Sequence, residues 1–169
     1  MRYLLTSLLC VFTLSLTAQE PIIKSAWVES PVVDEFGDII EGESIITSSS
    51  QGKFSNSATS DSDLTVNMQI VDGSIYAVFY EYNSAPQAHL PENAFINVKA
   101  KVESGEIVKV QQFLYNHIMC DTEGELTSLV LNQSSPLKVI VDLSTIDKYS
   151  YTTYQFEIDP SGLSQLLKL

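Results

Sequence analysis

The most regular stretch of the chain is residues 64–70, where Leu64, Val66, Met68 and Ile70 alternate with Thr65, Asn67 and Gln69. A period of two is that of a strand with one face buried. Asp72-Gly73 comes next, followed by the aromatic and β-branched run Ile75 to Tyr82. Asp-Gly between two such runs predicts a tight hairpin, because both turn residues must accept positive φ. The pattern repeats further on. Phe95, Val98, Ala100 and Val102 lead to Ser104-Gly105, and Ile107, Val108, Val110 and Phe113 return. Pro86 and Pro91 bracket a loop between the two hairpins. Leu137, Val139, Val141 and Leu143 alternate again, and Tyr149 to Ile158, with Tyr154, Phe156 and Ile158 on one face, reads as the partner strand.

Elsewhere the pattern is weaker. Ile22 to Glu29, with Ile22, Ile23 and Trp27, predicts a first strand broken by Ser30-Pro31. Asp34-Glu35-Phe36-Gly37-Asp38 is rich in turn formers, and strand character resumes from Ile39 to Thr47. Residues 47–63 are the least apolar, with Phe54 and Ala58 interrupting Ser, Asn, Asp and Thr, and read as a long loop or a polar edge strand around Phe54. Thr122-Glu123-Gly124-Glu125 fits a capping box ahead of Leu126, Leu129 and Val130 at helical spacing. A short helix is predicted over about 123–132, ended by Ser134-Ser135-Pro136. Leu163, Leu166, Leu167 and Leu169 suggest a second, docked at the C-terminus. Many strands at hairpin spacing with one or two short helices predict a mostly β fold. The expectation is an antiparallel β-sandwich or partly closed barrel, with a lipocalin-like cavity barrel as the nearest alternative.

The N-terminus changes the picture. Arg2 precedes an apolar run from Leu4 to Leu16, which ends at Thr17-Ala18-Gln19. That is the layout of a secretory signal peptide, expected over 1–18, with a single β-rich domain over 19–169. The run is shorter than the roughly 20 apolar residues of a membrane anchor. Leu9 stands before Cys10 where a lipid-attachment motif would place a small residue. Removal of 1–18 takes Arg2 away, so eight lysines face twenty-one carboxylates and the remainder carries −13. Such a chain has no electrostatic reason to bind nucleic acid or an anionic membrane surface. Cys120 becomes its one thiol, which excludes an internal disulfide. No second apolar stretch reaches membrane length, and about 150 residues suffice for one core. The protein is expected to be exported, to the periplasm or beyond.

Three clusters could carry chemistry. Asp34, Glu35 and Asp38 offer three carboxylates around a glycine, a possible Ca²⁺ loop, with Asp61 and Asp63 as a second acidic pair. The plainer reading of the first is a solvated turn. His117, Cys120 and Asp121 could form a nucleophile or metal pair, although Cys120 also suits a buried apolar position. His89, in its proline-flanked loop, reads as structural. There is no Gly-x-Ser-x-Gly elbow, phosphate loop or His-Glu-x-x-His. A carboxylate-based hydrolase stays open, because the separation of paired carboxylates is a three-dimensional property. The third cluster is aromatic. Tyr76, Tyr80 and Tyr82 fall on one strand face, opposite Ala77 and Phe79, and would leave an aromatic patch for a partner if the other face enters the core. Tyr149, Tyr151 and Tyr154 make a second stripe.

The order of features from Trp27 through Asp34, the strand Leu64-Thr65-Val66, the helix ending at Leu131 and the strand Leu137-Lys138-Val139 to the closing Tyr154-Gln155-Phe156-Glu157-Ile158-Asp159-Pro160-Ser161-Gly162-Leu163 resembles small exported proteins of the type VI secretion-associated VasI group and related envelope proteins. The similarity spans about 27–169. It departs from that group at Met68, near which those proteins often carry a Cys. The Thr-Ala-Gln signal ending also resembles exported proteins of Bacteroidetes-type bacteria. The resemblance implies an envelope accessory or interaction role and carries over no catalytic residue. The expected function is therefore an exported, non-enzymatic module with an envelope protein partner and no cofactor. A small-molecule or Ca²⁺-binding module is the alternative.

Overall fold

The computed structural model describes residues 26–82, 93–115, 117–144 and 151–168. The signal segment 1–18, Ile22 and Ile23, the Pro86–Pro91 loop with His89, Tyr149 and Leu169 lie outside the described residues.

Nine strands and two short helices follow in order: β1 (Val28–Val33), β2 (Ile39–Ser55), β3 (Ser62–Val71), β4 (Ser74–Glu81), β5 (Ala94–Lys101), β6 (Ile107–Tyr115), β7 (Ile118–Cys120), α1 (Glu125–Leu131), β8 (Leu137–Asp142), β9 (Thr153–Ile158) and α2 (Leu163–Leu166). The sheet runs β1-β2-β3-β4-β7-β6-β5-β8-β9, and β9 returns to pair with β2. Eight antiparallel strands thus close into a barrel, with β1 as an extra strand. Of the architectures expected, the barrel is the one adopted.

The Asp72-Gly73 turn forms with both residues at positive φ, 49° and 78°, as the dipeptide requires. Strand alternation then sorts the side chains. Leu64, Val66, Met68 and Ile70 point inward, as do Ile75, Ala77 and Phe79 across from them. Ile96, Val98, Val110, Leu114, Val139, Val141, Tyr154 and Phe156 fill the rest of the interior. An eight-stranded barrel can be filled by side chains or hold one small ligand. Here the inward side chains are almost wholly shielded and form one continuous cluster, a packed core rather than a lipocalin-like cup. Trp27 seals one part of it. Its indole nitrogen donates to the Asp159 carbonyl at 2.8 Å, and the neighbouring Ala26 amide donates to Ser161. The start of β1 is thereby pinned to the segment leading into α2.

Three sequence expectations change. Ser30-Pro31 lies inside β1 instead of ending it, and Pro31 pairs opposite Ser44 with an irregularity in register just after it. An edge strand tolerates a missing N–H, which is why proline is admitted there. The polar stretch 47–63 is a loop only at 56–61. Residues 47–55 are the second half of β2, paired to β3 from Ile46 to Phe54 and to β9 from Lys53 to Ser55. Gly52 makes this closure possible, since a Cβ there would stand 2.3 Å from the Gln155 carbonyl oxygen and 2.9 Å from the Phe156 Cβ. Finally, α1 is shorter than expected, and Thr122 does not cap it. The buried Asp121 carboxylate accepts from the amides of Leu126 at 3.1 Å and Thr127 at 2.7 Å, satisfying two of the amides that a helix start leaves without partners.

Candidate outer-wall groove

With the core on one face, the outward residues of β1 to β7 form rows across the strands. One row runs Val28, Thr47, Gln69, Tyr76, Cys120, Phe113, Phe95, one side chain from each of seven neighbouring strands. The next runs Ser49, Asn67, Val78, Ile118, Tyr115, and a third begins Gln51, Thr65, Tyr80. Between them lies a groove of about 710 Å³. Tyr76, Val78, Tyr80 and Ile118 give it an apolar side, and Thr47, Ser49, Asn67 and Gln69 a polar one. None of the residues lining it is charged, in a chain with a net charge of −12. The polar side is partly tied together: the Ser49 hydroxyl bonds Asn67 Oδ1 at 2.9 Å, and Thr65 Oγ1 donates to Gln51 Oε1 at 3.2 Å. Phe95 and Phe113 continue the apolar side beyond the groove, edge to face at 5.2 Å.

Two of the three tyrosines expected to share a face, Tyr76 and Tyr80, line this groove. Tyr82 does not. It follows the last residue of β4, takes φ 53°, donates its amide to Asp63, and sets its ring edge-on to the buried Phe54 at 4.9 Å. The positive φ rotates the side chain out of the alternation, so Tyr82 covers the end of the barrel. The other tyrosine stripe is divided as well. Tyr151 is exposed, whereas Tyr154 is inside, stacked on Phe79 at 4.6 Å with its hydroxyl donating to Glu81 Oε1 at 2.9 Å. Burial first, then the Glu81 charge and hydrogen bond, push the Tyr154 phenol well above its ordinary range.

The acidic loop is the turn between β1 and β2. Asp34 Oδ1 accepts the amides of Phe36 and Asp38, both at 2.9 Å, and the Asp34 amide bonds the Asp38 carbonyl. One of its carboxylate oxygens therefore shapes the turn. Among the described residues no three His, Cys, Asp or Glu side chains gather closely enough to hold a metal ion, at Asp34, Glu35 and Asp38 or elsewhere. The His117, Cys120 and Asp121 triplet is split. Cys120 sits on the outer row between Phe113 and Tyr76, where burial raises its thiol pKa. Asp121 turns inward to α1.

A buried polar network was not anticipated. Asp121 Oδ2 also accepts from Thr127 Oγ1 at 2.7 Å, and Oδ1 from Gln112 Nε2 at 3.0 Å. Thr127 Oγ1 in turn accepts the Ile75 amide at 2.9 Å. Four donors on one carboxylate offset much of what burying its charge costs, and they fasten α1 to β4 and β6. Gln112 interrupting the inward alternation of Val110 and Leu114 was the one sequence signal for it. Its Oε1 has no partner among the described residues. Neither Asn67, Ser49 nor Ile118 stood out in the sequence, because the groove joins them only through strand register.

In comparisons with known proteins, the chain matches no family model, no curated protein and no solved structure.

Proposed function

We propose that this is an exported, non-enzymatic binding module of the cell envelope, and that its outer-wall groove takes an uncharged, partly apolar segment of a protein partner. Export rests on the arrangement of residues 1–18. The observation that carries the binding reading is the groove itself: uncharged, flanked by Tyr76 and Tyr80, on an otherwise strongly acidic chain. Tyrosines offer large contact area with little side-chain entropy to lose, which suits them to binding surfaces. A second reading is a small apolar molecule, favoured by the groove volume, which falls within the usual range for such ligands.

The test places a photo-crosslinking side chain at Val78 in the groove and, as a control, at Ile140 on another wall, in the native host. The expected result is one stoichiometric protein partner captured from position 78, absent from position 140, and lost with Tyr76→Ala and Tyr80→Ala together. If position 78 captures no protein and native mass spectrometry finds a small molecule on the purified chain, the second reading replaces the first.

A further inference from the structure

Half of the chain's eight lysines stand on one wall. Lys99 and Lys101 on β5 face outward, with Lys109 of β6 directly opposite Lys99 and Lys138 of β8 directly opposite Lys101. Like charges placed opposite each other on neighbouring strands repel. Lys138 has a partner in Glu157 at 3.6 Å, but Lys99, Lys101 and Lys109 form no ion pair with any described residue. In a chain with twenty-one carboxylates, partners were not scarce. Exposed Ile107 and Ile140 lie beside these lysines, opposite Lys101 and Lys99. At one end of the wall is a hollow of about 300 Å³, with Lys101 and Lys138 beside Val102 and Pro136. Glu103 also lines it, with Oε2 accepting the Ser134 hydroxyl at 2.7 Å.

The β1–β2 ribbon has the opposite character. Residues 28–47 carry Glu29, Asp34, Glu35, Asp38, Glu41 and Glu43 and no lysine. At its tip Phe36 is 82% exposed, and Val33 and Ile39, paired behind it, are exposed too. The tip is shaped by its own hydrogen bonds, so this aromatic ring is presented to solvent on an ordered turn. The tip sets an aromatic ring among carboxylates, and the hollow sets Val102 and Pro136 beside Lys101 and Lys138 on a wall whose lysines outnumber its carboxylates. Lys101, which has no ion pair among the described residues, is the main charge the tip would meet. Within one copy they lie apart, β5 being three strands from β2 by the shorter way around the barrel.

We propose that the occupant of the hollow is the ribbon tip of a second copy of this chain: Phe36 packs on Val102 and Pro136, and Glu35 and Asp38 face Lys101 and Lys138. Each copy then offers one tip and one hollow, so the contact builds a closed two-fold pair where both tips are seated reciprocally, and rings or open chains where they are not. The net negative charge of both copies opposes approach over long distances, while the tip and hollow attract at contact. Association is therefore expected at about 0.1 M salt, where the screening length is about 10 Å, and weaker at about 1 M, where it is about 3 Å. This inference does not depend on the groove of Tyr76 and Tyr80.

Sedimentation velocity of the purified protein at about 0.1 M salt should show species heavier than a monomer that grow with concentration. A tip variant, Glu35→Lys with Phe36→Ser, and a wall variant, Lys101→Glu with Lys138→Glu, should each lose association at least tenfold while still unfolding cooperatively. The tip variant should keep its melting temperature, and the wall variant should fall by no more than a few degrees, since it loses only the exposed Lys138–Glu157 pair. Mixed together, the two variants should form a 1:1 complex and nothing larger, because only one intact tip and one intact hollow remain per pair. A protein that stays monomeric throughout, an oligomer that survives both variants, or a mixture that keeps growing would overturn the proposal. So would a lysine wall that binds a sulfated polymer in a protein that never self-associates.

Discussion

One strand, β2, belongs to two very different regions. Its second half, from Ile46 to Ser55, has β3 on one side and, at Lys53 to Ser55, β9 on the other. Its first half has β1 as its one paired neighbour, and β1 pairs with nothing else. The burial patterns follow. β3 alternates buried and open positions along its length, whereas every residue of β1 except Val32 is exposed. In the barrel, each strand contributes a row of side chains to a shared core. The ribbon contributes almost none and is anchored at its root by Trp27. A two-stranded ribbon is at best marginally stable by itself, so its shape is borrowed from the barrel. What the difference teaches is where change is tolerated. Ribbon surfaces can be altered without unfolding the protein, while small changes at the barrel seam should be felt throughout.

The largest effect is expected at Gly52, at the barrel seam where β2 meets β9. Gly52→Val would place side-chain atoms into the Gln155 carbonyl and Phe156 Cβ, both of which are fixed by the barrel. Overpacking against backbone of this kind costs about 3 kcal/mol, roughly a 10 °C fall in melting temperature for a chain of this size. The same substitution at Ser49, on the outer face of the same strand, should shift it by no more than a degree or two. Thermal unfolding of both variants decides this. Equal, small shifts would mean that β2 and β9 are not held together at Gly52.

Inside the barrel the Tyr154–Glu81 pair gives a smaller effect with a pH signature. Tyr154 ionises in the unfolded chain near pH 10, and in the folded chain only at higher pH. A raised folded pKa means that its contribution to stability is complete below about pH 10 and is lost as pH rises beyond it. Above that point the wild type should lose about 1.4 kcal/mol per pH unit from this group alone. Tyr154→Phe should be less stable by about 1–3 kcal/mol at pH 8, because Glu81 loses a donor while buried. It should also fall less steeply between pH 10 and 11. Urea unfolding at pH 8, 10 and 11 measures both, and parallel alkaline slopes would remove Tyr154 as the cause.

The contrast between the regions also marks how far the sequence could be read. The β3–β4 hairpin was legible because its alternation is complete and Asp72-Gly73 fixes the turn locally. The outward phase of Tyr76 and Tyr80 followed from that alternation, but the departure of Tyr82 did not, since it depends on one backbone angle. β2 was hidden. Its inward positions are Ile46, Ser48, Ser50, Gly52 and Phe54, and three small residues in a row erase the apolar period. Gly52 is small because β9 lies against it, a contact about 100 residues away in sequence, and the Ser48 hydroxyl serves the Ala26 carbonyl instead of the core. Capping by Asp121 was overlooked for a similar reason: its partners Gln112 and Thr127 meet it only in the folded barrel. The groove joins residues from several strands, so its parts were visible but not their assembly.

The smallest effect is the sharpest test of the comparison. Hydrogen exchange, measured at concentrations where the protein is monomeric, should protect the amides of β3 and β4 up to the global stability. The amides of β1 and of Ile39 to Ile45 should exchange through local opening far sooner, because the ribbon has little buried surface to lose. Phe36→Ser should then change global stability by no more than about 0.5 kcal/mol, as expected for an exposed side chain. If the ribbon amides were instead as protected as those of β4, the two halves of β2 would form one cooperative unit. The exposed Val33, Phe36 and Ile39 would then have to be explained as part of the monomer's stability. If protection rises only as the protein is concentrated, and does so in β1 and the first half of β2 but not in a Lys101→Glu, Lys138→Glu variant, the ribbon is being covered by another copy. In that case the weakness of this region is what leaves it available to be bound.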